Sequence, residues 1–185
     1  MKELLEKRYR LTLVWNYEEE EKWINELSEQ GLHLKQAGTV KCMFKRDTSV
    51  RYSYCLDYQP GLSRSDGMQE YLDLYQDAGW KYVTSYKGIW HYFRREWQPD
   101  TVQRLYTDRE SLAGQYKKIQ RVLGWLFILN VVIFFAMMMN LLFRLHGMLW
   151  LWGVIVPVSV FYLILFVLLG YGYLKTGKKI RKYIE

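Results

Sequence analysis

The sequence predicts an α+β fold, a duplicated strand–helix–strand–strand domain followed by a two-helix transmembrane hairpin. Three observations carry that prediction. Residues 8–46 and 51–95 repeat one pattern of apolar and polar positions, two later segments lack charge altogether, and the positive charge of the chain borders those segments. The 185 residues hold 26 Lys/Arg against 19 Asp/Glu, a net +7, with half of them hydrophobic and only two cysteines. That composition excludes a disordered chain and a disulfide-stapled secreted fold.

The repeat occupies a domain expected over residues 1–100. EKWINELSEQGLHL (21–34) aligns with QEYLDLYQDAGWKYV (69–83) at an offset of 48, placing Trp23 on Tyr71, Leu27 on Tyr75, Gly31 on Gly79 and Leu34 on Tyr82. After a one-residue insertion, VKCMFKR (40–46) falls on IWHYFRR (89–95) and pairs Phe44 with Phe93; upstream, RYRLTLVW (8–15) resembles RYSYCLDY (51–58). Each copy opens on a period-2 pattern, Tyr9, Leu11, Leu13, Trp15 and Tyr17 in one and Tyr52, Tyr54, Leu56 and Tyr58 in the other, which reads as a half-buried strand. An amphipathic helix follows, with Trp23, Ile24 and Leu27, then Met68, Tyr71, Leu72 and Tyr75, on its apolar stripe. Gly31 and Gly79 stand where a left-handed residue closes a helix. Two short strands complete each copy, at 32–37 and 40–46, and at 80–85 and 89–95. A tight turn between residues 46 and 51 would set Cys42 opposite Cys55, both expected as thiols in a cytoplasmic domain.

Beyond Pro99 a helical connector is expected over 101–121. Thr107-Asp108-Arg109-Glu110 matches a capping box, and the helix it opens continues into the first apolar segment. Segments 122–143 and 148–174, of 22 and 27 residues, each exceed the roughly 20 residues needed to cross a hydrocarbon core and read as transmembrane helices. Lys117, Lys118 and Arg121 precede the first, and a basic tail over 175–185 with Lys175, Lys178, Lys179, Arg181 and Lys182 follows the second. The positive-inside rule then puts both termini in the cytoplasm and Arg144–Gly147 in an external turn. Trp125, Trp150, Trp152, Tyr171 and Tyr173 fall at the expected interfacial belts. With the turn centred near residue 145, Asn130 and Ser159 come to one depth and are expected to hydrogen-bond across the hairpin. Pro157 is expected to kink the second span. MKELLEKRYR has no apolar signal-peptide core. The lipid bilayer of the cell membrane is the first expected partner, and a homo-oligomer or a membrane-protein or regulatory partner is left open.

Residues 1–116 carry 17 Lys/Arg against 18 Asp/Glu, which removes the electrostatic basis for a nucleic-acid partner. His33, His91 and His146 are isolated from any Cys or His at metal-ligand spacing, and His33 and His91 are expected on the polar face of a sheet. The chain has no phosphate loop, nucleophile elbow or HExxH, so neither cofactor nor metal is expected. Glu18–Glu21 suit the dipole of the first helix. The many tryptophans and tyrosines before Lys117 read mostly as core; if a cleft lies between the repeat halves, rings with polar tips suit a flat or amphipathic ligand. The resulting expectation is a non-enzymatic, membrane-anchored cytoplasmic binding or regulatory module that recognises a protein partner or a small amphipathic ligand. An accessory subunit of a transporter or export complex is the alternative, and a membrane-surface enzyme a weaker one. Two spans without an ionisable residue do not make a transport path alone.

The tandem strand–helix–strand–strand order is similar to that of gyrase-inhibitor-like effector-binding domains, an analogy of element order only. EEEKWINELSEQGLHL, YCLDYQ, EYLDLYQDAGWKYV, WHYFRR and LYTDRES resemble the bacterial family catalogued as domain of unknown function 2812, over about residues 10–112. Leu32 departs from it, where Trp is expected after the glycine. The resemblance implies a Gram-positive bacterial protein, often near transcriptional regulators of the PadR type, with a regulatory or stress-response role. It brings no catalytic residues.

Overall fold

A computed structural model describes residues 5–60, 62, 67–99, 109–144 and 152–185. The chain divides into two compact units, Met1–Asp108 and Arg109–Glu185. The first runs β1 (Leu5–Tyr9), a 3-10 turn (Val14–Asn16), α1 (Tyr17–Glu29), β2 (Leu32–Gln36), β3 (Lys41–Arg46), β4 (Tyr52–Tyr58), α2 (Gly67–Asp77), β5 (Lys81–Tyr86) and β6 (Trp90–Glu96). The strands form two antiparallel sheets of three, in the orders β1–β3–β2 and β4–β6–β5. Each repeat therefore builds its own sheet, with its last strand in the middle.

The duplication extends to conformation. Leu34 pairs with Phe44 and Tyr82 with Phe93, and the register breaks immediately afterwards in both, between Leu34 and Gln36 and between Tyr82 and Thr84. Equivalent bulges at positions 48 apart show that the repeat holds in the backbone as well as in the sequence, because a bulge is a specific backbone event. Gly31 and Gly79 both take positive φ, +74° and +79°, closing their helices as expected. Each helix packs on its own central strand through the same aromatic edge, Trp23 on Phe44 and Tyr71 on Phe93, both at 5.7 Å.

The first strand lies earlier than the alternation of Tyr9 to Tyr17 predicts. β1 ends at Tyr9, Leu11 is exposed outside any element, Trp15 lies in the 3-10 turn and Tyr17 is the first residue of α1. Trp15 and Tyr17 are both buried, as a strand would also require, but the chain reaches that burial by turning into the helix. The register gives the true correspondence: Tyr9 pairs with Lys41 as Tyr58 pairs with Trp90, so LEKRY (5–9) matches YCLDY (54–58). Cys42 and Cys55 are not opposite each other either, because β3 and β4 belong to different sheets; Cys42 faces Arg8 and Cys55 faces Phe93. Both are free and buried, and burial pushes both thiols up, away from thiolate chemistry.

The second unit is α3 (Arg109–Arg144) and α4 (Trp152–Ile184). α3 runs unbroken from connector to span, and α4 carries the five basic residues expected in a tail as part of the helix. Thr107, Asp108, His146, Trp150 and the turn after Arg144 lie outside the described residues. The helices pack antiparallel, with Phe127 against Phe166 at 5.6 Å, Phe134 against Tyr162 at 5.1 Å and Tyr116 stacked on Tyr183 at 6.0 Å. A Cβ at Gly124 would stand 3.3 Å from the Tyr173 ring, so glycine permits this approach. Both helices are long and apolar enough to cross a membrane. Phe135, Leu163 and Ile164 stand 62–64% exposed, an arrangement that suits lipid rather than water.

Candidate functional site

The repeats are joined by a polar row on α1. Glu21, Asn25 and Ser28 share one helical stripe at i, i+4 and i+7 and meet the outer edge of β4. Leu56 N–H donates to Glu21 Oε2 (3.0 Å), Tyr54 N–H to Asn25 Oδ1 (2.8 Å) and Tyr52 N–H to Ser28 Oγ (2.9 Å). In return Asn25 Nδ2 donates to Tyr54 O (3.0 Å) and Ser28 Oγ to Tyr52 O (2.7 Å). Alternate residues of an edge strand point their amides outward, about 6.7 Å apart, and a helical turn of side chains matches that step. The row thus takes the place of a fourth strand, and an ion pair between Glu29 and Arg51 closes it.

Beside this join lies a crevice of about 110 Å³ lined from both repeats. Tyr17 and Glu20 come from α1; Tyr86, Trp90 and Tyr92 come from β5 and β6. Tyr17 and Tyr58 hold the Trp90 indole from two directions, at 5.2 and 5.0 Å. Tyr92 OH donates to Glu20 Oε1 at 2.7 Å, and Thr39 Oγ1 meets Tyr86 OH across the rim. Burial raises the Glu20 carboxyl above its ordinary value of 4.5, with the Tyr92 hydroxyl and the charge of Arg10 pulling the other way. A carboxylate among aromatic rings attracts cations twice, by its charge and by the negative faces of the rings. A larger crevice of about 410 Å³ is lined by the second repeat and the residues just after it, and there Arg94 lies over Tyr52 and Arg95 over Trp80.

A second polar cluster is sealed. Asp57, 1% exposed, accepts from Tyr71 OH at 2.8 Å and Tyr75 OH at 2.6 Å, pinning α2 to β4. His91 stands opposite Asp57 across β4 and β6, and burial lowers its imidazole pKa. Both His33 and His91 are buried, at 2% and 0%, in place of the expected polar face. His33 Nε2 lies 2.7 Å from Asp47 O, a structural bond between β2 and the turn after β3. Among the described residues no cluster of His, Cys, Asp and Glu has the makings of a metal site.

Of the residues singled out in the spans, Asn130 donates to Leu126 O of its own helix at 2.8 Å and not to Ser159. Its neighbours Phe127 and Phe134 both pack on Phe166, two turns beyond Ser159, so the two polar groups lie at different levels. An asparagine without a partner across the helix pair folds back onto the i−4 carbonyl. Lys117, Lys118 and Arg121 lie near the start of α3, and Lys175, Lys178, Lys179, Arg181 and Lys182 on the last turns of α4. Lys179 Nζ donates to Tyr116 OH at 2.7 Å and lies 4.8 Å from the centre of that ring. Asn25, Ser28 and Asp57 went unmarked in the sequence, while Glu20 was assigned to the helix dipole and His91 to a polar sheet face; the i, i+4, i+7 spacing of the α1 row was there to be read.

A duplicated α+β domain followed by two membrane-length helices is the class of protein that this fold defines. The chain belongs to the family described as a protein of unknown function (DUF2812), whose match over residues 16–128 covers both repeat helices and enters α3. No curated protein and no solved structure matches the chain.

Proposed function

We propose that the protein is a non-enzymatic, membrane-anchored binding module whose repeat domain lies in the cytoplasm, and that the crevice between its repeats takes an ammonium group. Glu20 carries the reading. A carboxylate drawn into an aromatic crevice, its protonation favoured by burial, is stabilised by an arriving cation. The crevice, at about 110 Å³, is far smaller than the roughly 300 Å³ and above that drug-sized ligands need, so it suits the head of an amphipathic molecule or an amine on a protein partner. The basic residues at the Arg121 end of α3 and the Lys182 end of α4 support the cytoplasmic orientation.

The experiment is a titration of full-length protein in detergent with choline and with 3,3-dimethyl-1-butanol, its uncharged carbon isostere, followed by tryptophan fluorescence. Choline is expected to saturate the signal, the alcohol to leave it flat, and Glu20→Gln to weaken choline binding by about tenfold or more. An equal response to both compounds contradicts the cation reading. A reporter fused after Glu185 is expected inside the cell; activity outside contradicts the orientation.

A further inference from the structure

Among the described residues, the helix-on-edge contact between the two repeats is made in one direction only. The α1 row covers the β4 edge, while among those residues the equivalent row on α2 and the equivalent edge of β1 stand open. At the offset of 48, Glu21, Asn25 and Ser28 become Gln69, Asp73 and Gln76, and all three are exposed, with Gln69 Nε2 donating to Asp73 Oδ1 at 2.8 Å. The β1 edge is defined by parity. Arg10 N–H bonds inward to Val40 O at 2.8 Å, so the amides of Leu5, Lys7 and Tyr9 face outward, as those of Tyr54, Leu56 and Tyr58 do in β4. Lys7 and Tyr9 are exposed.

We propose that a second copy of this chain occupies these faces: α2 of one molecule seats its Gln69–Asp73–Gln76 row on the β1 edge of the next, repeating between chains the contact that α1 makes with β4 within each. Three observations support a copy of this chain as the occupant. The helices sit alike on their own sheets, through Trp23–Phe44 and Tyr71–Phe93, so the α2 row projects from its sheet as the α1 row does. The α2 residues are of the same kind, with Asp73 offering Leu5 N–H the acceptor that Asn25 offers Tyr54 N–H, and the two glutamines carrying donors for the carbonyls. The charges are complementary: α2 carries Glu70, Asp73 and Asp77, and the exposed Lys7 stands on β1, where Glu6 is already neutralised by Arg8 and Arg46. The contact is heterologous, a helix row on one molecule and a strand edge on the other, so it builds chains or rings and not a closed two-fold dimer.

Complementation tests it. Sedimentation velocity of the full-length protein in detergent is run on the wild type, on a row variant (Asp73→Lys with Gln76→Lys) and on an edge variant (Lys7→Pro, which removes only an outward amide). Wild type is expected to associate beyond a dimer as concentration rises. Each variant alone is expected to raise the dissociation constant by about tenfold or more. Their equimolar mixture is expected to form dimers and stop there, since it holds one working row and one working edge. Thermal melts matching wild type establish that the variants fold, and Lys7→Glu replaces Lys7→Pro if proline lowers the melting temperature. A wild type that stays monomeric, variants that associate as wild type does, or folded variants whose mixture stays monomeric each overturn the proposal.

Discussion

Asn25→Ala is the sharpest test of how the two repeats are joined. The amide makes three hydrogen bonds, from Nδ2 to Glu21 O (2.8 Å) and Tyr54 O (3.0 Å), and to Oδ1 from Tyr54 N–H (2.8 Å). Alanine strands both backbone groups of Tyr54, a residue with 0% exposure. Each unsatisfied buried group costs about 1–3 kcal/mol, so the loss comes to about 2–4 kcal/mol once partial access of water is allowed. At about 4–8 °C per kcal/mol for a domain of this size, the melting temperature falls by about 8 °C or more. Asp73→Ala, the same substitution at the equivalent but exposed position of α2, is worth about 0.5 kcal/mol at most. The assay is near-ultraviolet circular dichroism of dilute full-length protein in detergent, which follows the packed tyrosines and tryptophans. If the two variants melt within about 3 °C of each other, the α1 row does not hold the repeats together and the argument fails.

Other expectations follow from the same structure. Burial raises the Glu20 carboxyl, so the folded state favours its protonated form, and that stability is present below the ordinary value of 4.5 and lost as pH rises through the folded one. Glu20→Gln is therefore expected to raise the melting temperature at pH 7 by a few degrees, with the gain vanishing under acid conditions; an equal gain at both pH values contradicts this. Gly31→Ala and Gly79→Ala impose the same left-handed strain of about 1–2 kcal/mol, but only at position 31 does the new Cβ meet Thr48 Cγ2 at 2.7 Å. Gly31→Ala is expected to cost at least about 1 kcal/mol more in urea denaturation, and equal midpoints refute the close approach. Tyr75→Phe removes one of two hydroxyls from buried Asp57 and is expected to cost about 1.5–3 kcal/mol in the same assay. A cost below about 0.5 kcal/mol would show that Asp57 does not pin α2.

Much of the fold was legible in the sequence because its signals were local. Gly31 and Gly79 announced their helix ends, the apolar stripes announced the helices, and the uncharged runs announced α3 and α4. The first strand was misplaced because residues 9–17 alternate as a strand does, while the burial of Trp15 and Tyr17 comes from a turn that sequence period cannot show. The α1 row was hidden for a different reason. Glu21, Asn25 and Ser28 have the look of a solvated face, as does the matching row on α2 that is exposed within one molecule, and only tertiary packing separates the two. Asn130 was matched with Ser159 by placing the turn at residue 145; the Phe127 and Phe134 contacts with Phe166 put the axis of the helix pair a few residues later. Of the crevice, the aromatic richness was legible and the carboxylate was not, since an acidic first turn already accounted for Glu20.

The most direct measurement is the titration of Glu20 itself. In full-length protein carrying carboxyl-labelled glutamate, the signal that Glu20→Gln removes reports that side chain by carbon NMR. A midpoint above 4.5 is expected in the free protein, with a fall toward that value when choline saturates the crevice. A midpoint that choline leaves unmoved would contradict it.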